Sequence, residues 1–442
     1  MADHAVSDDP DVQTQLDRLD ALSPGADILG LDRITRLLER LDNPHLALPP
    51  VFHVAGTNGK GSTCAFLRAA LEAEGRSVHM FTSPHLVRFN ERIRLNGALI
   101  SDAQLASYLS RVLDIAEDIA PSFFEVTTAA AFLAFAEHPA DACIIEVGLG
   151  GRLDATNVIP SPIVCGIAQL GVDHQAFLGE GLPQIAGEKA GIAKPGVPLV
   201  TMEYEPHIAA VIAAKAADAG ARWHPMKTAW DAAVYRDKLH YRDGKGPVET
   251  PLPRLPGPHQ PMNAALAIAM LRYQSVLEVS EAALKAAPLW ATWPARLQRL
   301  DGGPLVDRLN AHAPGRTIWL DGGHNPAAGE ALARHFTSLL APGEKLTLLV
   351  GMLANKEMDG FLELLRDHIG SIHSLPIPGH ACHDAGAFAA LAARWGIAHQ
   401  AHDNLSDAAE AIGAQNGRES LLIGGSLYLA GQVLRANEQF PD

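Results

Sequence analysis

The chain has 442 residues, 48% of them hydrophobic, and a formal net charge of -15 at pH 7. That length allows two or three domains with buried cores, and the acidic balance argues against a broad nucleic-acid surface while leaving room for a local anion pocket. No apolar run reaches the roughly 20 residues of a membrane helix, and the start MADHAVSDDPD is unlike a targeting peptide. Four scattered cysteines without a CxxC pair read as reduced thiols, so a cytoplasmic protein is expected.

Short apolar runs alternate with helical ones from residue 50 onward. PVFHVAG, SVHMFTS, ACIIEVG and IVCGIAQL predict strands, and helices such as TTAAAFLAFAEH lie between them. This alternation predicts a mainly parallel sheet covered on both faces. VYRDKLHYRDGKGPVETPLP breaks the pattern and reads as an antiparallel hairpin. NAALAIAMLRYQSVLEV is the next helix, and RLQRLDGGPL reads as a linker. A second α/β series follows, with strands in TIWLDGGHNP, KLTLLVGML, SIHSLPIPG and SLLIGGSLYL. The domain boundary falls near residue 298, giving domains 1–298 and 299–442. Ligands of open α/β sheets bind beyond the carboxyl ends of the strands. The polar clusters fall at those ends: Ser83-Pro84-His85, Glu146, Asp173-His174, Asp321 to Asn325, and Ser426. One cleft between the two domains is expected to collect them.

The stretch VFHVAGTNGKGSTCAFLRAALEAEG runs from a strand through Gly56 to Thr63 into a helix. Backbone amides and a helix N-terminus attract phosphate oxygens, and Lys60 adds a charge for the β- and γ-phosphates. Thr57, Asn58, Gly59, Lys60, Gly61 and Ser62 are therefore the nucleotide-binding candidates. The bland alternative is a glycine turn. The usual phosphate loop places a hydroxyl directly after the lysine to hold Mg²⁺, but here Gly61 stands there. Another ligand must replace it. Ser83, Glu146 and His174 follow strands and are available. A hydroxyl and a carboxylate suit Mg²⁺. An imidazole suits it less, and His174 also reads as a satisfied histidine at a strand end.

VAGTNGKGS, TSPHLVRFNERI, EVGLGGRLDATN, GVDH, GEKAGIAKPG, DGGHNP and GGSLYLAG, in this order, resemble the motifs of the folylpolyglutamate synthase/dihydrofolate synthase family, relatives of the Mur ligases. The resemblance spans nearly the whole chain. It implies an α/β fold with a large N-terminal P-loop ATPase domain of Mur-ligase type, which also binds the pterin, and a smaller Rossmann-like C-terminal domain for glutamate ligation. It implies an ATP-dependent ligase that phosphorylates a carboxylate and passes the acyl group to the amine of L-glutamate. The acceptors implied are dihydropteroate, reduced folates, or both.

The resemblance also assigns residues. Ser83, Glu146 and His174 match Mg²⁺ ligands, and Lys189 matches a lysine carbamylated in family members, which would serve a second Mg²⁺. Lys60, Glu146, His174 and Lys189 form the implied catalytic group. The plain alternative for Lys189 is an ion pair with Glu188. Asn263 matches an adenine contact, Arg296 an arginine on ATP phosphates, and Asp321 a nucleotide contact. His324 and Ser426 match the glutamate site; Gly323 replaces the common alanine of that motif. Leu29, Gly30 and Leu31, Ser122, Phe123, Phe124 and Glu125, and Leu153, Asp154 and Ala155 match segments that enclose dihydropteroate. An aromatic ring flanked by small polar groups suits a flat heterocycle, although either phenylalanine could be core.

His380, Cys382 and His383 lie close in sequence but lack the three or four ligands of a zinc site. A Mur-type ligase with a UDP-linked substrate is the nearest rival. Only about 50 residues precede the loop, too few for the extra domain such enzymes carry. Folate extension alone and a non-catalytic ATP-binding module are further alternatives. Small-molecule substrates, no nucleic acid, no membrane and a monomer are expected.

Overall fold

A computed structural model describes residues 5–22, 29–179, 181–415, 417 and 419–442. The chain packs as two units: the first comprises Met1–Arg254, Gln260–Thr292 and Asp442, the second Leu255–His259 and Trp293–Pro441.

The first unit is built on eight strands: β1 (Val51–Ala55), β2 (Val78–Phe81), β3 (Ile93–Leu95), β4 (Ala98–Leu99), β5 (Ala142–Glu146), β6 (Val164–Ile167), β7 (Pro198–Thr201) and β8 (Arg222–Pro225). Their order is β4-β3-β2-β5-β1-β6-β7-β8. From β2 to β8 every pairing is parallel, while β3 and β4 are antiparallel additions at one edge. β1 is apolar apart from His53 and buried throughout, as a central strand covered on both faces must be. It pairs with β5 on one side and β6 on the other, placing Val54 opposite Glu146 and Ala55 opposite Ile167. The carboxyl ends of β2, β5, β1 and β6 therefore lie side by side. The helix Phe123–Glu137 is apolar on nearly all sides and buried along most of its length.

The segment read as a hairpin is a three-stranded antiparallel sheet of β9 (Trp230–Tyr235), β10 (Lys238–Asp243) and β11 (Gly246–Pro251). The helix after it stops at Tyr273, short of the predicted SVLEV extension. Gln274 ends it: its Oε1 accepts from the amides of Val276 and Leu277 at 2.7 and 2.8 Å, supplying a local alternative to the helical ladder.

The second unit carries β12 (Gln298–Leu300), β13 (Ile318–Leu320), β14 (Leu346–Val350), β15 (Ile369–Ser374), β16 (Ala398–Ala401) and β17 (Leu421–Gly424). The order is β12-β13-β17-β14-β15-β16, parallel except for β12. The stretch read as a linker thus contains an edge strand. Cys64, Cys143 and Cys165 are buried, and none of the four cysteines is in a disulfide. No described helix is long and apolar enough to cross a membrane.

Candidate active site

The loop after β1 is held before any ligand is considered. The amides of Thr57 and Asn58 both donate to the Gln169 carbonyl, at 2.9 and 3.1 Å. They are engaged within the chain, while the first-turn amides of the helix Lys60–Ala73 lack intrahelical acceptors and can face an anion. Gly59 caps that helix at φ +84°, and a Cβ there would lie 2.4 Å from Asn263 Oδ1. Both the left-handed backbone and the contact demand glycine. Asn263 is buried and linked through Gln260 (3.1 Å) to the Ser62 hydroxyl (3.3 Å). Gln260, which the motif reading passed over, ties Asn263 to the phosphate loop.

Lys60 Nζ donates to the Thr57 carbonyl at 3.3 Å and lies 3.9 Å from Glu146 Oε1. Glu146, 4% exposed, accepts from the amide of Ser83 at 3.3 Å. The hydroxyl-bearing residue and the carboxylate proposed as a replacement pair are therefore neighbours, next to the lysine. His174 lies on the loop after β6. It is exposed, in the left-handed region at φ 52°, and its amide donates to Asp173 Oδ1 at 2.8 Å. Among the described residues, no group of three or more His, Cys, Asp or Glu side chains could hold a metal ion. The ligand set expected here relies on a hydroxyl and a modified lysine as well.

Lys189 is 5% exposed, and its Nζ donates to the Gly56 carbonyl at 2.9 Å. Burial, with Lys60 nearby, pushes its ammonium down to about 7. The alternative pairing with Glu188 does not form: Glu188 binds Arg152 at 2.9 Å.

The three segments matched to the pterin site converge on one apolar cluster. Leu31 and Phe124 pack against a core that includes Phe123 and Ala155. Ser122 and Glu125 form a reciprocal cap on their helix, with Ser122 N to Glu125 Oε2 at 2.7 Å. Glu125 also accepts from Arg33 Nε at 2.9 Å. Phe123 is 5% exposed and belongs to the core, whereas Phe124 is half-buried. A Cβ on Gly148 would lie 2.3 Å from the Phe124 ring, so only glycine there lets the ring sit where it does. Asp154 is 2% exposed. Its oxygens accept from Leu149 N (2.8 Å), Thr156 N (3.0 Å) and the Thr156 hydroxyl (2.5 Å), and burial raises its pKa. This carboxylate shapes its own loop. Leu29, Gly30 and Leu153, in the same segments, are half-buried.

In the second unit Asp321 is 7% exposed and follows β13. Its two oxygens accept from Leu297 N (2.8 Å) and Gly323 N (2.7 Å), fixing the backbone next to Arg296 to the DGGHNP loop. Burial raises its pKa against the pull of Arg296. Arg296 Nη1 donates to the Ala295 carbonyl at 2.9 Å. His324 Nδ1 lies 3.3 Å from the Gly322 carbonyl. Asn325 and Ser426 each cap a helix, through Ala328 N (3.0 Å) and Tyr428 N (3.1 Å). Because β13 and β17 are adjacent and parallel, two helix N-termini open at neighbouring strand ends, a setting that favours anions.

No family model matches the chain. It is 36% identical over 362 residues to the dihydrofolate synthase/folylpolyglutamate synthase of Bacillus subtilis (strain 168), over 78% of this chain and 80% of that one. The structure of E. coli FolC in complex with DHPP and ADP matches it with a TM-score of 0.85 and 32% identity, over 97% of both chains. A bifunctional folylpolyglutamate synthase/dihydrofolate synthase with Mn, AMPPNP and L-glutamate bound matches with a TM-score of 0.83 and 31% identity, over 96% of this chain and 97% of that one. The chain belongs to the dihydrofolate synthase/folylpolyglutamate synthase family. Its fold is the two-domain α/β fold of the Mur-ligase type.

Proposed function

We propose that this chain is an ATP-dependent carboxylate–amine ligase that joins L-glutamate to dihydropteroate, giving dihydrofolate, and to reduced folates, giving folylpolyglutamates. The observation that carries the reading is in the first unit: Lys60, Ser83 and Glu146 adjoin one helix N-terminus. The reaction runs through an acyl phosphate. A carboxylate oxygen of the acceptor bonds to the γ-phosphorus as ADP leaves, and the glutamate amine then displaces phosphate. Acceptor carboxylate and ATP repel each other, so charge neutralisation and alignment are the main demands on the protein.

Lys60 and the first-turn amides meet the phosphates, and Asn263 the adenine. Ser83 and Glu146 supply oxygen donors of the kind Mg²⁺ prefers, with His174 as the further ligand. The metal, when bound, offsets charge on the β- and γ-phosphates. Lys189 has the lowered basicity that reaction with CO₂ requires, since only the neutral amine forms a carbamate; that carbamate would give oxygen donors for a second Mg²⁺. Arg296 and Asp321 contribute to nucleotide binding, and His324 and Ser426 hold the anionic glutamate. Leu29–Leu31, Ser122–Glu125 and Leu153–Ala155 enclose the pterin, with Phe124 as the stacking ring. Residues 1–298 serve as the nucleotide and pterin domain and 299–442 as the glutamate domain of a cytoplasmic monomer.

The test is direct. Purified protein with ATP, Mg²⁺ and L-glutamate is offered dihydropteroate and tetrahydrofolate separately, and both are expected to gain glutamate with ADP release. Product from tetrahydrofolate alone would reduce the activity to folate extension. Product from neither would reject the ligase reading.

A further inference from the structure

β1 is a central strand buried on both faces, and such strands are apolar. His53 breaks that rule: it is 0% exposed in the middle of the strand, just upstream of the phosphate loop. Burial, with Lys194 adding to it, pushes the ring down to about 3, so it is neutral at physiological pH. Its Nε2 lies 2.8 Å from the Thr156 hydroxyl oxygen, and its Nδ1 is buried without a hydrogen-bond partner among the described residues. A polar ring with one orphaned nitrogen costs stability in a core, a cost that an apolar side chain of similar volume would avoid.

The protons along this chain of side chains have one consistent arrangement. Both Asp154 oxygens accept from amides, Oδ1 from Thr156 N and Oδ2 from Leu149 N, so the carboxylate is the acceptor throughout. The Thr156 hydroxyl therefore gives its only proton to Oδ1, at 2.5 Å. Its lone pair is left for His53, whose Nε2 carries the ring proton and donates. Linked donors polarise one another, and this series ends on a carboxylate whose charge burial opposes. Asp154 in turn caps the 3₁₀ turn Ala155–Val158 and holds the amide of Leu149. Ala155 and Val158 of that turn share a cluster with Phe123 and Phe124, and Gly148 is the residue that the Phe124 ring requires to be glycine. The side chains thus connect the strand that leads into the phosphate loop with the segments assigned to the pterin.

We propose that His53 and Thr156 are positioning residues of the acceptor site: the series from His53 Nε2–H through the Thr156 hydroxyl to Asp154 Oδ1 sets the shape of the loop Gly148–Ala155 beside Phe124, and with it the affinity for the pterin ring. This rests on the assignment of that loop to pterin binding above. Both residues are 0% exposed and act through Asp154.

The experiment reads binding, apart from turnover. Full-length protein saturated with ADP and Mg²⁺ is titrated with dihydropteroate, and the same variants are titrated separately with an ATP analogue. Thr156→Val keeps the shape and the backbone amide and loses the hydroxyl. It is expected to weaken dihydropteroate binding about 10-fold, the loss of one hydrogen bond to a charged group, while leaving the ATP analogue little changed. Thr156→Ser, which restores the hydroxyl, should bind dihydropteroate nearly as the parent does, a rescue that a packing role would not give. His53→Leu should weaken dihydropteroate binding by about 3- to 5-fold, and His53→Gln, which restores an N–H donor, should recover most of that. The double variant His53→Leu/Thr156→Val should be no weaker than Thr156→Val, because the ring acts only through the hydroxyl. If Thr156→Val fails to fold by circular dichroism, the two His53 variants decide alone. A dihydropteroate affinity within about 2-fold of the parent in both Thr156→Val and His53→Leu, or an equal loss for dihydropteroate and the ATP analogue, overturns the proposal. Failure of the unmutated protein to bind dihydropteroate refutes the pterin assignment instead.

Discussion

Two buried charged residues, Lys189 in the first unit and Asp321 in the second, stand beside candidate ligand-facing loops and are treated differently. Asp321 has an amide donor for each oxygen, Leu297 N and Gly323 N. Lys189, with three protons to place, has one hydrogen-bond acceptor among the described residues, the Gly56 carbonyl. Burial pushes both toward their neutral forms. Their hydrogen bonding separates them: Asp321 has a backbone donor on each oxygen, whereas Lys189 has fewer acceptors than its ammonium has protons. Burial is common to both groups; the number of hydrogen-bond partners is what differs.

Removing Lys189 should give the largest effect on both sides of that comparison. Its pKa is near 7 in the folded chain against 10.5 ordinarily. Between those values the unfolded chain holds a proton that the folded chain lacks, so stability rises with pH across the window. Lys189→Met, unfolded in urea without metal or bicarbonate, should therefore be more stable than the parent at pH 7, by on the order of 3 kcal/mol. The gain should fade as pH approaches 10.5. Turnover should drop about 10²–10³-fold. A variant less stable than the parent at pH 7 would mean the amine is better satisfied than its single acceptor implies.

Asp321→Asn should behave in the opposite way. An amide has one acceptor oxygen, so one of the two backbone donors is left without a partner, at a cost of about 1–3 kcal/mol. The urea midpoint of the second unit should fall along with turnover. Unchanged stability with lost turnover would show that the nucleotide contact of Asp321 outweighs its bracing of the loop.

Gly59→Ala sharpens the contrast between the two loops. The first is fixed by steric exclusion, the second by a carboxylate. An alanine in the left-handed region costs about 1–2 kcal/mol and here also collides with Asn263 Oδ1. Titration with an ATP analogue should show weakened binding. An unaltered dissociation constant would show that the loop tolerates a shift at Gly59.

The smallest expected effect concerns the acceptor. Phe124→Ala should impair use of dihydropteroate more than of tetrahydrofolate, by around 10-fold if roughly 1.5–3 kcal/mol of aromatic burial is lost. Equal loss for both acceptors would argue against separate positions for the two pterins.

The phosphate loop was legible because glycines and a lysine between strand and helix are a local signal. The strands of ACIIEVG and IVCGIAQL were legible because central strands are apolar throughout. β12 was not: Gln298, Arg299 and Leu300 look like linker, and only the pairing with Ile318 to Leu320 makes them a strand. β9 was missed for a related reason, since Asp231, Ala232 and Ala233 carry little strand preference and owe their conformation to β10. At the site, the motifs named Asp154 and Asp321 as ligand contacts, but no spacing reveals that their oxygens also accept from the chain's own backbone. The His53–Thr156 contact was likewise hidden, because it joins side chains 103 residues apart in the chain.

The two hydrogen bonds that the Thr57 and Asn58 amides donate to the Gln169 carbonyl have a thermodynamic consequence. They tie the phosphate loop to the segment after the neighbouring strand β6 through the chain's own backbone. The entropy of ordering that backbone is therefore lost on folding, once, and not again each time a nucleotide arrives. Binding to such a loop should carry a small conformational-entropy penalty, and its association rate should be set by diffusion and charge rather than by waiting for the loop to close.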